Sequence, residues 1–311
     1  MGILPIDADI LPPSDDRIFK KILTSPEDKF VLMDLISAII KRPVIDVVVR
    51  NNELPVESLE EKAERFDVNC TIDDGSQIDL EMQASYIQEI IGEHRNLTGK
   101  SLYYLCDLHS SQSSKGRRYD ELAQTYQVTF CAYTVFPKLP GYVNSFSMRH
   151  DITNELLSEA IHVIYVELSK LNETIKKPVN SMTDLEKWAV FFRYAHIPEY
   201  RETVNKVIES KEALQMAGNL LMSVSQDERE RAIARSRRMY ISDMESNMKT
   251  IKDRAMLEGR QEGRQEGRQE GALERNIEIA RSMLADAMSP DLISKFTGLT
   301  HEEVENLRAA L

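Results

Sequence analysis

The chain has 311 residues, 42% hydrophobic and 29% charged, with a net charge of −12. That length and apolar content supply a sizeable core and room for one or two domains, while the acidic balance excludes a constitutive, non-specific coat for nucleic acid. Three widely spaced cysteines, Cys70, Cys106 and Cys131, exclude a disulfide framework and show no zinc spacing. No run reaches the roughly 18 apolar residues of a membrane span. No basic leader is visible at the start, so a cytoplasmic setting without membrane contact is expected.

Taken in order, residues 14–41 place Ile18, Ile22, Leu23, Phe30, Met33, Leu35, Ile36, Ile39 and Ile40 at helical spacing. Ser14 or Asp15 caps the start, Pro26 divides the stretch into two helices and Pro43 ends it. Residues 45–49 are rich in valine and isoleucine and read as a strand. A hairpin over 65–84 follows. Residues 86–112 read as a long helix, 110–116 as a loop and 119–126 as a short helix. Residues 127–136 and 162–168 read as strands. A leading helix followed by this βββαβ order indicates an α/β domain over residues 1–175.

Residues 176–250 form a helical region. Thr183-x-x-Glu186 and Ser225-x-x-Glu228 have the spacing of capping boxes. Residues 251–275 carry the internal repeat, in which Gly259, Gly263, Gly267 and Gly271 bound three copies of Arg-Gln-Glu-Gly. Each glycine costs a helix about 1 kcal/mol relative to alanine, and like charges recur at i,i+4. The segment is therefore either a linker or a helix held by a partner. Residues 276–311 form a small helical end module, its helix ends marked by Ser289-Pro290, Gly298 and Thr300-x-x-Glu303. Glu302, Glu303 and Glu305 on its last helix would be repelled by phosphate. An interaction role, with homo-oligomerisation through the helical C-terminal region, is preferred to a helix-turn-helix DNA reader.

The hairpin carries the chemistry. Residues 65–72 and 76–83 both alternate polar and apolar, which gives each strand one dry and one wet face. A two-residue Asp74-Gly75 turn would pair Asp67 with Met82 and Val68 with Glu81, mixing the faces. A three-residue loop with Gly75 left-handed pairs Asp67 with Glu81, Asn69 with Asp79, and Thr71 with Gln77. On the other side it pairs Phe66 with Met82, Val68 with Leu80, and Cys70 with Ile78. Only this register segregates the two faces completely. Directly opposite residues have Cβ atoms about 5 Å apart, so Asp67 and Glu81 repel unless a cation lies between them. Oxygen donors of this kind suit Mg²⁺ or Mn²⁺. On pattern alone, a solvated polar face accounts for the alternation equally well.

Asp16-Arg17-Ile18-Phe19-Lys20, then Asp67, then Ile78-Asp79-Leu80-Glu81-Met82-Gln83, Lys100-Ser101-Leu102-Tyr103-Tyr104 and Gln112 form an ordered set. With the glycine-punctuated repeat and Thr297-Gly298-Leu299-Thr300, this set resembles the PD-(D/E)XK nuclease superfamily, in its recombination-promoting nuclease and transposase-like group. The resemblance covers residues 11–170 and, more loosely, the C-terminus. It implies an α/β restriction-endonuclease-like core, a mixed sheet flanked by helices, with an all-α C-terminal extension. It also implies Asp67 and Glu81 as catalytic metal ligands, joined by the Met82 backbone carbonyl. Gln83 falls where most of the superfamily has lysine. Glutamine can orient water but, being neutral, cannot stabilise negative charge as an ammonium does. Asp16, Lys20 and Asp79 are supporting candidates. Arg95, Lys100, Lys115, Arg117 and Arg118 are candidate phosphate contacts. The expected function is a Mg²⁺- or Mn²⁺-dependent DNA endonuclease that hydrolyses phosphodiester bonds, linked to recombination or mobile elements. The alternative is a nuclease-fold protein without strong catalysis, acting as an interaction or oligomerisation module.

Overall fold

The computed structural model describes residues 2–25, 29–50, 67–84, 94–116 and 118–310, excepting the side chains of 94–96. Residues Met1–Glu245 form one compact unit and Ser246–Leu311 a second. In the first, helices α1 (Asp16–Leu23) and α2 (Phe30–Ile40) precede strand β1 (Val47–Val49). The hairpin strands β2 (Val68–Ile72) and β3 (Gln77–Gln83) lead to α3 (His94–Ser110). Strands β4 (Thr125–Cys131), β5 (Val143–Phe146) and β6 (Ile161–Glu167) complete a mixed six-stranded sheet in the order β1-β2-β3-β4-β6-β5. The β3–β4 and β4–β6 pairs are parallel and the others antiparallel.

Local chemistry sets the element ends. Asp15, rather than Ser14, caps α1 by accepting from the Arg17 and Ile18 amides at 3.1 and 3.4 Å. Gly75 has φ +84°, and its N–H bonds the Ile72 carbonyl at 2.9 Å. Val68, Asn69, Cys70 and Thr71 sit opposite Leu80, Asp79, Ile78 and Gln77, so the three-residue loop and its register hold. The expected hairpin residues 65 and 66, and 86–93 of the expected long helix, lie outside the described residues. Residues 119–126 are not a helix: only Tyr119–Glu121 form a single 3₁₀ turn, and β4 already begins at Thr125. The edge strand β5 was not expected, because a four-residue stretch paired on one side shows too little alternation to stand out.

Three further helices, α4 (Asp184–Tyr194), α5 (Arg201–Glu209) and α6 (Glu212–Gln226), pack with α1 and α2 on one face of the sheet. The expected boundary at residue 175 does not interrupt the core. Phe19 of α1, Phe130 of β4 and Phe192 of α4 meet at centroid separations of 5.6, 5.1 and 5.4 Å. Trp188 stacks on Phe192 and donates to Asp34 Oδ1 at 2.7 Å, so a buried indole N–H is satisfied. The helices of the 176–250 region therefore complete the sheet's core instead of standing apart. On the opposite face, α3 covers the sheet through Leu97 and Leu105 against Cys131, Val163 and Tyr165.

Helix α7 (Glu228–Ala285) starts at Asp227, whose Oδ1 accepts from the Arg229 and Glu230 amides. Ser225 is not its cap. That side chain is buried and accepts from the Leu11 amide at 3.0 Å, holding the N-terminal segment. Residues 249–275 of α7 are exposed, and the four repeat glycines have nothing within 4 Å of the Cβ position. The repeat is thus helical, with no described neighbour along its glycines. In the second unit, α8 (Pro290–Thr297) and α9 (His301–Ala309) enclose Ala280, Ile293, Leu299 and Val304. Gly298, at φ +73°, ends α8, and the Thr300–Glu303 capping box opens α9. Among the described residues, no helix is long and apolar enough to cross a membrane.

Candidate active site

Alternation along β3 puts Gln77, Asp79, Glu81 and Gln83 on one face. The parallel register aligns them with Thr125, Gln127, Thr129 and Cys131 of β4. This face was expected to be wet. Instead Gln77, Asp79 and Glu81 are buried. Strand β3 is interior, paired on both sides, and α3 lies over the same face. Plain solvation therefore does not explain these polar side chains.

Asp67 directly precedes β2, where the register continues opposite Glu81. Its Oδ2 accepts the Met82 N–H at 2.8 Å. In an extended strand the N–H and C=O of one residue project to the same side, so the Met82 carbonyl shares the edge that holds Asp67. Glu81 Oε2 accepts from Lys100 Nζ of α3 at 2.9 Å and from Gln83 Nε2 at 3.1 Å. Its Oε1 is buried and accepts no hydrogen bond from a described residue. Lys100 Nζ also lies 4.9 Å from the centroid of the Tyr104 ring. An ammonium therefore sits beside Glu81 and supplies the positive charge that the neutral Gln83 lacks.

Burial is the largest influence on Asp67 and pushes its pKa up to about 7. Glu81 and Asp16 add to this by charge repulsion, while the Met82 amide and Lys100 oppose it. Asp79, fully buried, is raised well above the usual carboxylate range, first by burial and then by Glu81, against the neighbouring Gln127 amide. Burial alone would lower the Lys100 pKa, but its charge contact and hydrogen bond with Glu81 raise it on balance.

Helix α1 contributes a further carboxylate. Asp16, at its first position, is close enough to raise Asp67. Its carboxylate is held by both Arg237 nitrogens, at 2.8 and 3.2 Å. Sequence reasoning missed Arg237, which lies 221 positions from Asp16 in a helix dense in charge. No local signal separates it from its neighbouring arginines. Lys20, one turn along α1 from Asp16, makes no ion pair with a described residue. The structure does not bring Lys115 and Arg118 to this cluster. They follow the far end of α3, where Gln112 bonds Thr125 at the start of β4, and Arg118 is paired with Asp120. Arg117 and the side chain of Arg95 lie outside the described residues.

The donor set fits a hard divalent cation, with two carboxylates opposite one another in register, a Glu81 oxygen that accepts no hydrogen bond from a described residue, and a backbone carbonyl. Among the described residues, no three His, Cys, Asp or Glu side chains are assembled as a ligand group. Asp67, Glu81, the Met82 carbonyl and water would therefore have to share the coordination.

Residues 273–309 match the Rpn/YhgA-like nuclease family, C-terminal HTH domain. This similarity favours the helix-turn-helix reading that the acidic last helix had argued against, and the short Gly298-containing turn between α8 and α9 has the matching form. No curated protein and no solved structure matches the chain. Residues 13–251, more than half of the sequence and all of the α/β core, match the PD-(D/E)XK nuclease family transposase model, and to that family this chain belongs.

Proposed function

We propose that the chain is a DNA endonuclease that hydrolyses phosphodiester bonds with Mg²⁺ or Mn²⁺, linked to recombination or mobile-element movement. The observation that carries this reading is Glu81. It is buried, bonded on one oxygen to Lys100 and Gln83, accepts no hydrogen bond from a described residue on the other, and lies opposite a desolvated Asp67 in the register. A solvated ornamental face would have no reason to bury such a set at the cost of desolvating its charges. When bound, the cation supplies Lewis-acid polarisation of the phosphate.

The remaining roles belong to the chain. Asp67 and Glu81 would hold the cation. Gln83, bonded to Glu81, fixes the carboxylate and orients the attacking water through its amide. Lys100 supplies the positive charge that Gln83 lacks, stabilising the phosphorane oxygens as negative charge builds. Lys20, one turn along α1 from Asp16, would hold an adjacent phosphate. The HTH-like end module adds a second DNA contact. The link to mobile elements rests on the transposase description of the family, the HTH-like module on its own match.

A plasmid and single-stranded DNA incubated with Mg²⁺ or Mn²⁺ should be cut by the wild type and left intact by Asp67→Ala; equal cleavage by both refutes the proposal. A second reading, a non-catalytic nuclease-fold module, draws on Gln83 and on the Lys100 ion pair that already occupies one oxygen of Glu81. Calorimetric titration with Mn²⁺ separates the two. Heat lost in Glu81→Ala supports the enzyme, whereas no binding by either protein supports the module.

A further inference from the structure

The first turns of α7 belong to the same compact unit as the candidate active site, and one of their faces is turned onto α1. Glu230 Oε1 accepts from Arg17 Nη2 and Lys21 Nζ, each at 2.7 Å. Ala234 is buried in the core. Arg237 donates to Asp16, Nη1 to Oδ1 at 2.8 Å and Nη2 to Oδ2 at 3.2 Å, and Nη1 lies 3.5 Å from Asp15 Oδ1. Residues three and four apart share a helix face, so the spacing 230, 234, 237 delivers a guanidinium to the start of α1. That start lies beside the acidic cluster. Helix α1 packs against β3, and Asp67 interacts by charge with both Asp16 and Arg237.

Holding two helices together does not account for this pair. The side chains of Arg237 and Asp16 are 42% and 43% exposed, and an exposed ion pair adds little to stability. A guanidinium has five N–H donors. Asp16 takes two of them, and Nε–H donates to no described residue.

We propose that Arg237 grips a backbone phosphate of DNA at the active site, and that Asp16 is the positioning residue that aims it rather than a ligand of the cation. This deepens the nuclease reading above and rests on it. Both Asp16 oxygens already accept from the guanidinium. A cation taking Asp16 would have to displace a charge-assisted, two-pronged bond and then sit against a positive neighbour. A planar guanidinium held along one edge by a carboxylate still presents donors to a second oxyanion, and its fork matches phosphate oxygens. A phosphate approaching Asp16, Asp67 and Glu81 meets like charge. Arg237 is the cation that α7 adds, beside Lys100 of α3, to offset it.

The test uses the full-length chain. Fluorescence anisotropy in EDTA, where nothing is cleaved, follows a labelled duplex across a salt series. Arg237→Gln should weaken binding about tenfold, the scale of one charge-assisted bond, and equally on unrelated sequences, because a phosphate contact reads no bases. It should also lower the slope of log affinity against log salt by about 0.9, the share of one phosphate. Arg237→Lys should keep the slope, since it keeps the charge. Both variants should melt with the wild type, because the pair is exposed. In calorimetry, Asp16→Asn should retain the Mn²⁺ binding heat, while Asp67→Asn loses it. In cleavage with Mg²⁺, Asp16→Asn should cost nothing further in an Arg237→Gln background, because it acts only through the arginine. An unchanged salt slope in Arg237→Gln, an equal loss of slope in Arg237→Lys, loss of Mn²⁺ binding in Asp16→Asn, or multiplying losses in the double variant overturns the proposal. If the wild type neither binds nor cuts DNA, the nuclease reading falls and takes this proposal with it. If the wild type cuts DNA and Arg237→Gln changes nothing, only the role of Arg237 falls.

Discussion

Removing the charge of Asp67 should stabilise the metal-free protein while abolishing its activity. Burial raises the Asp67 pKa from 3.8 to about 7 in the folded chain. Ionising it there costs at most on the order of 4 kcal/mol, at about 1.4 kcal/mol per tenfold change in equilibrium. Asp67 keeps some contact with solvent, so roughly half of that, about 2 kcal/mol, is expected to be recovered by Asp67→Asn. Asparagine retains an oxygen acceptor for the Met82 amide, so the hydrogen bond survives. The sign follows from proton binding. Below pH 3.8 the carboxyl is neutral in both states and carries no penalty. As pH rises from there to about 7, the folded state holds a proton that the unfolded state has lost, and stability falls. Above about 7 the loss is complete. Thermal melts in EDTA should therefore show wild type and Asp67→Asn converging near pH 4 and separating by roughly 4–8 °C near pH 8. Saturating Mn²⁺ should reverse the order, because only the wild type gains from binding it. Parallel melting curves at all pH values in EDTA would refute the claim that Asp67 is a desolvated carboxylate.

Lys100→Ala should lower cleavage on the order of 10²-fold, the scale of losing one preorganised charge. Gln83→Lys in that background should restore much of it, since a lysine there reaches the same glutamate; steady-state kinetics on the double variant would show no rescue if Lys100 merely holds α3 in place. Phe130→Ala removes the ring shared by α1, the sheet and α4 and should cost about 3–5 kcal/mol in a urea titration. A loss below about 1 kcal/mol would mean that α4 does not complete the core.

The sequence alone determined the hairpin. Strict alternation on both strands left one register that separates polar from apolar, and Gly75 supplied the left-handed residue the turn needs. The caps at Asp15, Thr183 and Thr300 and the stop at Gly298 were equally local. Ser225 shows where such signals mislead. Its spacing to Glu228 fits a capping box, but a residue from the other end of the chain claims its hydroxyl. Tertiary structure decided the rest. Period-two alternation says which side chains share a face, not what covers that face. Only the packing of α3 turned a seemingly wet face into a buried one and brought Lys100 to Glu81. Only the return of α7 to α1 paired Arg237 with Asp16. Charge contacts between distant segments leave no periodic trace, because each partner alone reads as an ordinary surface charge.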